Sequence, residues 1–156
     1  MTRLPAEGEP APDFTLDTDE GTITLSALRG RKAVVYFYPK DDTSGCTREA
    51  IDFTTLAEAF RSADTEVIGI SADSVDSHGR FRAKHGLAVT LASDTEHDAI
   101  SKYGVWVEKS MYGRKYMGIE RATFLIDREG RIARIWRNVK VPGHAQEVLA
   151  AAEQLA

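Results

Sequence analysis

Apolar positions recur along this chain in two rhythms, every second residue and every third or fourth, and the switches between them mark its elements. From Phe14 to Leu25 the apolar Phe14, Leu16, Ile23 and Leu25 alternate with polar neighbours around DTDEG, which predicts an N-terminal β-hairpin with one buried face. The run KAVVYFY over 32–38 is apolar at nearly every position and is stopped by Pro39, so it reads as a strand covered on both faces at a sheet centre. Ala50, Phe53, Leu56 (or Ala57) and Phe60 then fall three and four apart, predicting an amphipathic helix from Cys46 to about Arg61. A strand at 66–72, a helix from about Ser74 to His85, a strand at 88–93, a short helix at 96–103 and a strand at 104–107 continue as a βαβ series. The segments 122–127 and 131–137, joined by the turn REG, predict an antiparallel hairpin. A closing helix near His144 to Leu155 lines up Val148, Leu149, Ala152 and Leu155 on one face. Ahead of all these, Pro5, Pro10 and Pro12 hold the first dozen residues extended along the surface, an arm without chemistry.

The order βαβ then ββα implies an α/β fold with a mixed central sheet and helices on both faces, a thioredoxin-like architecture with an added N-terminal hairpin. With 156 residues and neither linker nor repeat, the chain reads as one domain over 1–156. Charge narrows the partners: 20 basic and 24 acidic residues are interspersed, so no basic stripe faces nucleic acid. The longest apolar run, Ala33–Tyr38, falls far short of the roughly 20 residues that span a bilayer, and the N-terminus carries no apolar signal segment. A single cysteine, Cys46, excludes an intrachain disulfide and a cysteine-based zinc site and fits a reducing compartment, so a cytoplasmic protein is expected. His78, His85, His97 and His144 lack helical zinc spacing and read as surface or packing residues.

The stretch YFYPKDDTSGCTREA is the most informative, because it carries a buried strand through a loop to a cysteine in the first turn of a helix. A helix N-terminus favours a nearby anion, so a thiol placed there is shifted toward the nucleophilic thiolate. Thr43 and Ser44 can cap the helix, and the Thr43 hydroxyl can also donate to the sulfur or to a substrate oxygen. Of two arginines, Arg48 is near in sequence but free to point into solvent. Arg121, just before a strand able to adjoin the central one, is the better partner for the sulfur. Asp41 and Asp42 share the loop, and their orientation decides whether they oppose a thiolate. A lone cysteine is more often an inert buried residue, but such a residue belongs inside an apolar pattern, whereas Gly45 and Thr47 flank this one. A cysteine protease would need a histidine placed beside Cys46, a C-x-x-C oxidoreductase would need cysteine where Glu49 stands, and GRKYMGIER lacks the order of a phosphate loop and reads as a structural loop. Trp106, Tyr112 and Tyr116 could line a channel to the site, but aromatic residues at strand ends are more often core or rim, and they are left out of the site.

Pro39, Thr43 and Cys46 complete the pattern P-x-x-x-T/S-x-x-C, and here the segment resembles the peroxidatic loop of the peroxiredoxins. More narrowly, VVYFYPKDDTSGCTREA, GISADSVDSHGRFRAKHGL, LASD, YGVWVEKSMYGRKYMGIERATFLID and VKVPGHAQEVL resemble the peroxiredoxin Q, or bacterioferritin comigratory protein, subfamily over most of the chain. The resemblance implies a peroxidase without metal or haem, in which Cys46 attacks a peroxide oxygen and becomes a sulfenic acid. Arg121 would stabilise the thiolate and the breaking O–O bond, Thr43 would orient the peroxide, the amides of Gly45 and Cys46 would hold its other oxygen, and Pro39 would shield the sulfur. Many subfamily members carry a resolving cysteine five residues on, where this chain has Ile51, a packing residue of the helix; others carry it near Ile100. With neither present, an external thiol (thioredoxin, or glutaredoxin with a low-molecular-weight thiol) must reduce Cys46. The resemblance leans toward a monomer and leaves open a transient Cys46–Cys46 dimer. The alternative from another class is a redox sensor or interaction module in which Cys46 oxidises once.

Overall fold

The computed structural model describes residues 4–156, so the first three residues of the predicted arm lie outside it. The N-terminal hairpin forms from β1 (Thr15–Thr18) and β2 (Gly21–Thr24), followed by a 3-10 turn over Leu25–Leu28. Next come β3 (Lys32–Phe37), α1 (Ser44–Thr55), α2 (Ala57–Ser62), β4 (Thr65–Ser71), α3 (Val75–His85), β5 (Thr90–Ser93) and α4 (Asp98–Lys102). The chain ends with β6 (Trp106–Met111), β7 (Arg114–Ile119), β8 (Ala122–Ile126), β9 (Ile132–Trp136) and α5 (His144–Gln154). Seven strands make one mixed sheet in the order β2-β1-β5-β4-β3-β8-β9. Strand β3 runs parallel to β4 and antiparallel to β8, so it sits inside the sheet with both edges paired.

Every residue of β3 is buried, as its unbroken apolar run requires. Ala33, Val35 and Phe37 face a core completed by Ile68, Ile70, Ile100 and Tyr103, which α4 covers. Val34, Tyr36 and Tyr38 face the other, with Cys46, Phe53, Phe60, Phe81 and Val148 from α1, α2, α3 and α5. Each large apolar side chain so buried contributes roughly 1.5–3 kcal/mol, which makes β3 a rigid base for the loop leaving its C-terminal end. The proline-rich arm lies on the surface as expected, held by backbone bonds such as Gly8 N–H to the Ile132 carbonyl and Ala11 N–H to that of Gly130.

The structure departs from the sequence reading in two places. The predicted helix over Cys46–Arg61 starts earlier, at Ser44, and breaks at Leu56, whose N–H turns back to the Phe53 carbonyl. The apolar period runs on through that break without a proline or glycine to mark it. The predicted strand at 104–107 does not join the main sheet, and GRKYMGIER is not a loop: among the described residues β6 and β7 pair only with each other. Their two-residue turn has Tyr112 at φ 53 and Gly113 at φ 78, a left-handed pair for which Asn-Gly is the usual sequence signal. Trp106, Tyr112 and Tyr116 lie on this hairpin and are exposed, rim residues and not core.

Candidate active site

The chain leaves β3 at Tyr38, turns through Pro39–Thr43 and enters α1, so Cys46 stands in the helix's first turn. The first intrahelical bond runs from Thr47 N–H to the Thr43 carbonyl. The amides of Ser44, Gly45 and Cys46 therefore precede the helical ladder and have no carbonyl in it. Thr43 occupies the N-cap, but its hydroxyl donates to the Lys40 carbonyl at 2.8 Å and does not cap the helix; Ser44 is the first helical residue. The predicted donation from Thr43 to the sulfur is thereby corrected: its hydrogen is committed to the backbone, and its oxygen lone pairs are what it offers an incoming group. Pro39 is half-buried between Tyr38 and the exposed Lys40.

Arg121, in the residue before β8, arrives beside the cysteine because β8 pairs with β3. Its Nη2 donates to Cys46 Sγ at 3.3 Å and its Nη1 to Glu49 Oε1 at 2.6 Å. The guanidinium fork thus bridges the sulfur and a carboxylate one helical turn along. Burial opposes charge on Arg121, but Glu49 and Cys46 outweigh it, and the group is held above its ordinary value. Arg48, by contrast, pairs with Asp52 in solvent. Cys46 is 1% exposed and packs within the apolar cluster although Gly45 and Thr47 flank it, so the expectation that a buried cysteine would sit inside an apolar stretch of sequence does not hold here.

Glu49 is the site residue that sequence reasoning missed. It is 1% exposed, burial pushes its carboxyl up to about 7 against the pull of Arg121, and its Oε2 has no hydrogen-bond partner among the described residues. The signal was present: residues 46, 49, 50 and 53 share one face of α1, and a carboxylate on a buried face requires a cation beside it.

The two loop aspartates are engaged elsewhere. Asp41 accepts from the Tyr38 hydroxyl at 2.6 Å and the Ser77 hydroxyl at 2.8 Å, with His78 Nδ1 at 2.7 Å. Burial alone would raise its carboxyl, but the bonds from His78, Tyr38 and Ser77 prevail and hold it below the usual range. Asp42 is held low by Lys84 and His85, at 2.7 and 2.8 Å. Ile51, expected to pack, is 37% exposed on the outer face of α1, whereas Ile100 is fully buried in α4. Among the described residues no helix is long and apolar enough to cross a membrane.

Residues 8–135 match the AhpC/TSA family. The putative peroxiredoxin bcp of Coxiella burnetii is 50% identical over 143 residues, covering 91% of this chain and 95% of that protein. Peroxiredoxin Bcp of Bacillus subtilis is 49% identical over 143 residues, 91% of each chain. The solved structure of Xanthomonas campestris bacterioferritin comigratory protein, studied for its alkyl peroxide reduction activity, superposes with a TM-score of 0.85 at 45% identity over 90% of each chain.

Proposed function

The chain belongs to the AhpC/TSA family, in its peroxiredoxin Q or bacterioferritin comigratory protein branch, and is a thiol-dependent peroxidase; we propose that Cys46 is the sulfur that attacks peroxide, with Arg121, Thr43 and Pro39 completing its site. The observation that carries this reading is the 3.3 Å bond from Arg121 Nη2 to Cys46 Sγ in the first turn of a helix. The Cys46 thiolate attacks the outer oxygen of R–O–O–H. A sulfur–oxygen bond forms as the O–O bond breaks, the sulfur is oxidised by two electrons to the sulfenic acid, and the leaving oxygen takes a proton from solvent and departs as alcohol or water. Arg121 stabilises the charge that grows along the breaking bond. The amides of Gly45 and Cys46 hold one peroxide oxygen, Thr43 accepts the peroxide O–H, and Pro39 keeps water from the sulfur.

An external thiol then attacks the sulfenic sulfur and expels water, and a second thiol breaks the mixed disulfide to restore Cys46. Thioredoxin, or glutaredoxin with a low-molecular-weight thiol, fills that role, and hydrogen peroxide and small organic hydroperoxides are the substrates. The alkyl peroxide activity named for the Xanthomonas campestris relative supports the second substrate class. In this reading the chain is one domain, works in the cytoplasm as a monomer, and links Cys46 to Cys46 only transiently.

The test is intact mass and free-thiol content after one equivalent of hydrogen peroxide, followed over time against free cysteine. Cys46 is expected to gain one oxygen far faster than free cysteine and Cys46→Ser to gain none. Arg121→Ala should keep the fold and react about 10²–10³-fold more slowly, the usual effect of removing a donor aimed at developing charge. Oxidation no faster than free cysteine would remove the assignment of Cys46, and repeated turnover with thioredoxin separates a catalyst from a sensor that oxidises once.

A further inference from the structure

The loop that delivers Cys46 is clasped to α3 by two histidines that the site around the sulfur does not use. Consecutive loop carboxylates reach the same helix: Asp41 meets Ser77 and His78, and Asp42, in left-handed backbone at φ 59, meets Lys84 and His85. His78 is fully buried, and each of its ring nitrogens faces an oxygen. Nε2 lies 3.1 Å from the Ala92 main-chain carbonyl, which can only accept, so Nε2 carries a hydrogen. Nδ1 lies 2.7 Å from the Asp41 carboxylate, which already accepts the Tyr38 and Ser77 hydroxyls, two contacts that favour its ionised form. Both ring nitrogens therefore face acceptors.

We propose that His78 is an imidazolium in the closed enzyme and a positioning residue that fixes the start of the Cys46 loop through Asp41, so that loss of its proton loosens the loop. A bare Nδ1 would set a lone pair against the Asp41 carboxylate, and a bare Nε2 would set one against the Ala92 carbonyl; either repulsion pushes the loop off α3. The surroundings favour a cation here. From the end of β3 comes the Tyr38 hydroxyl, and from beyond β4 comes Asp73, whose Oδ2 accepts the Asp41 N–H at 2.8 Å and the Ser71 hydroxyl at 2.7 Å. From the β1–β2 turn comes Asp19, which Arg82 of α3 pairs at 2.6 Å. On the same helix His85 packs edge-on against Phe81 and serves only the outer carboxylate, Asp42. The consequence for turnover rests on the assignment of Cys46 above: a sulfur that is 1% exposed meets a reductant's thiol only after this loop opens, and acid holds it shut.

The test is made on Cys46→Ser protein, so that no thiol titration enters. Long-range ¹H–¹⁵N spectra follow the His78 ring between about pH 5.5 and 8.5, with amide-exchange protection of residues 41–47 measured alongside. Both ring nitrogens are expected to be protonated at the acid end, and protection should fall about tenfold in step with loss of the ring proton. Asp41→Asn should flatten that pH profile. A His78 ring with one bare nitrogen across the whole range overturns the proposal, as does protection that ignores the ring or follows His85 in its place. Should Asp41→Asn fail to fold, the spectra and exchange of the Cys46→Ser protein decide alone. Peroxide reactivity is measured separately on the unaltered chain, so its absence would remove the role of Cys46 and leave the clasp standing.

Discussion

Glu49 sets the balance at the sulfur, because Arg121 divides its fork between a carboxyl and Cys46. Burial pushes the Glu49 carboxyl from an ordinary 4.5 to about 7. The folded protein therefore binds this proton more tightly than the unfolded chain, and the resulting stability is complete below about pH 4.5 and lost as pH rises through about 7. At 1.36 kcal/mol per pH unit the loss is roughly 3 kcal/mol, and a side chain this deeply buried gains little relief from solvent. Glu49→Gln keeps an oxygen to accept from Arg121 and cannot ionise. Urea unfolding between about pH 5 and 8 should show the wild type losing up to roughly 3 kcal/mol more than the variant. His144, whose imidazole burial lowers to about 4, contributes with the opposite sign, but it is common to both proteins and cancels in the difference. Parallel pH profiles would show that Glu49 is not neutral in the resting fold. The contact between Cys46 and Arg121 was legible in the sequence because a strand-to-helix junction and a residue heading the adjoining strand have positional signatures. Glu49 was weighed there only as a residue that is not cysteine, since its importance appears once its helix face is known to be buried.

Helix α1 presents the sulfur, and its second residue, Gly45, limits how near the guanidinium can come. A Cβ built on Gly45 would lie 3.1 Å from Arg121 Nη2, a contact that only displacement of the arginine relieves. Alanine is otherwise the better helix former, by up to about 1 kcal/mol. Gly45→Ala should therefore leave stability unchanged or slightly raised while slowing oxidation of Cys46 by peroxide at least about tenfold if Arg121 has the proposed role, since a small misplacement of a catalytic group is expensive. Thermal melts and stopped-flow oxidation read the two effects separately, and an unchanged oxidation rate would mean that the 3.3 Å contact does not set reactivity. Elements of this kind were predictable where one rhythm runs unbroken between punctuation, as in α3 with Ser74 accepting from Ser77 N–H at its start and Gly86 at φ 63 at its end. The β6–β7 hairpin was not. Its exposed strands interleave Glu108, Lys109, Ser110, Arg114 and Lys115 with apolar residues, and no buried face imposes an alternation on them.

Across the whole molecule the two halves of the reaction make opposite demands. In the proposed mechanism peroxide is small, and a sulfur 1% exposed beside Arg121 suits it, whereas the thiol of a larger reductant would have to approach a sulfur that the closed fold keeps among Tyr36, Tyr38 and Phe53. The sheet cannot yield to it, because β3 is buried throughout and hydrogen-bonded on both edges. The segment between that strand and α1 is tied to α3 through the side chains of Asp41 and Asp42, and its Asp41 N–H is held by Asp73, so it is the part that opening would have to release. In a chain with one cysteine no internal thiol can trap the opened sulfur, so under the proposed mechanism the external thiol arrives while the loop is open. Oxidation should then stay proportional to peroxide concentration, while reduction of the sulfenic acid should level off at a ceiling set by opening as thioredoxin is raised. Stopped-flow fluorescence from Trp106 and Trp136 measures both limbs. A reduction rate that keeps climbing in proportion to thioredoxin would mean that the sulfur is reached without the loop letting go.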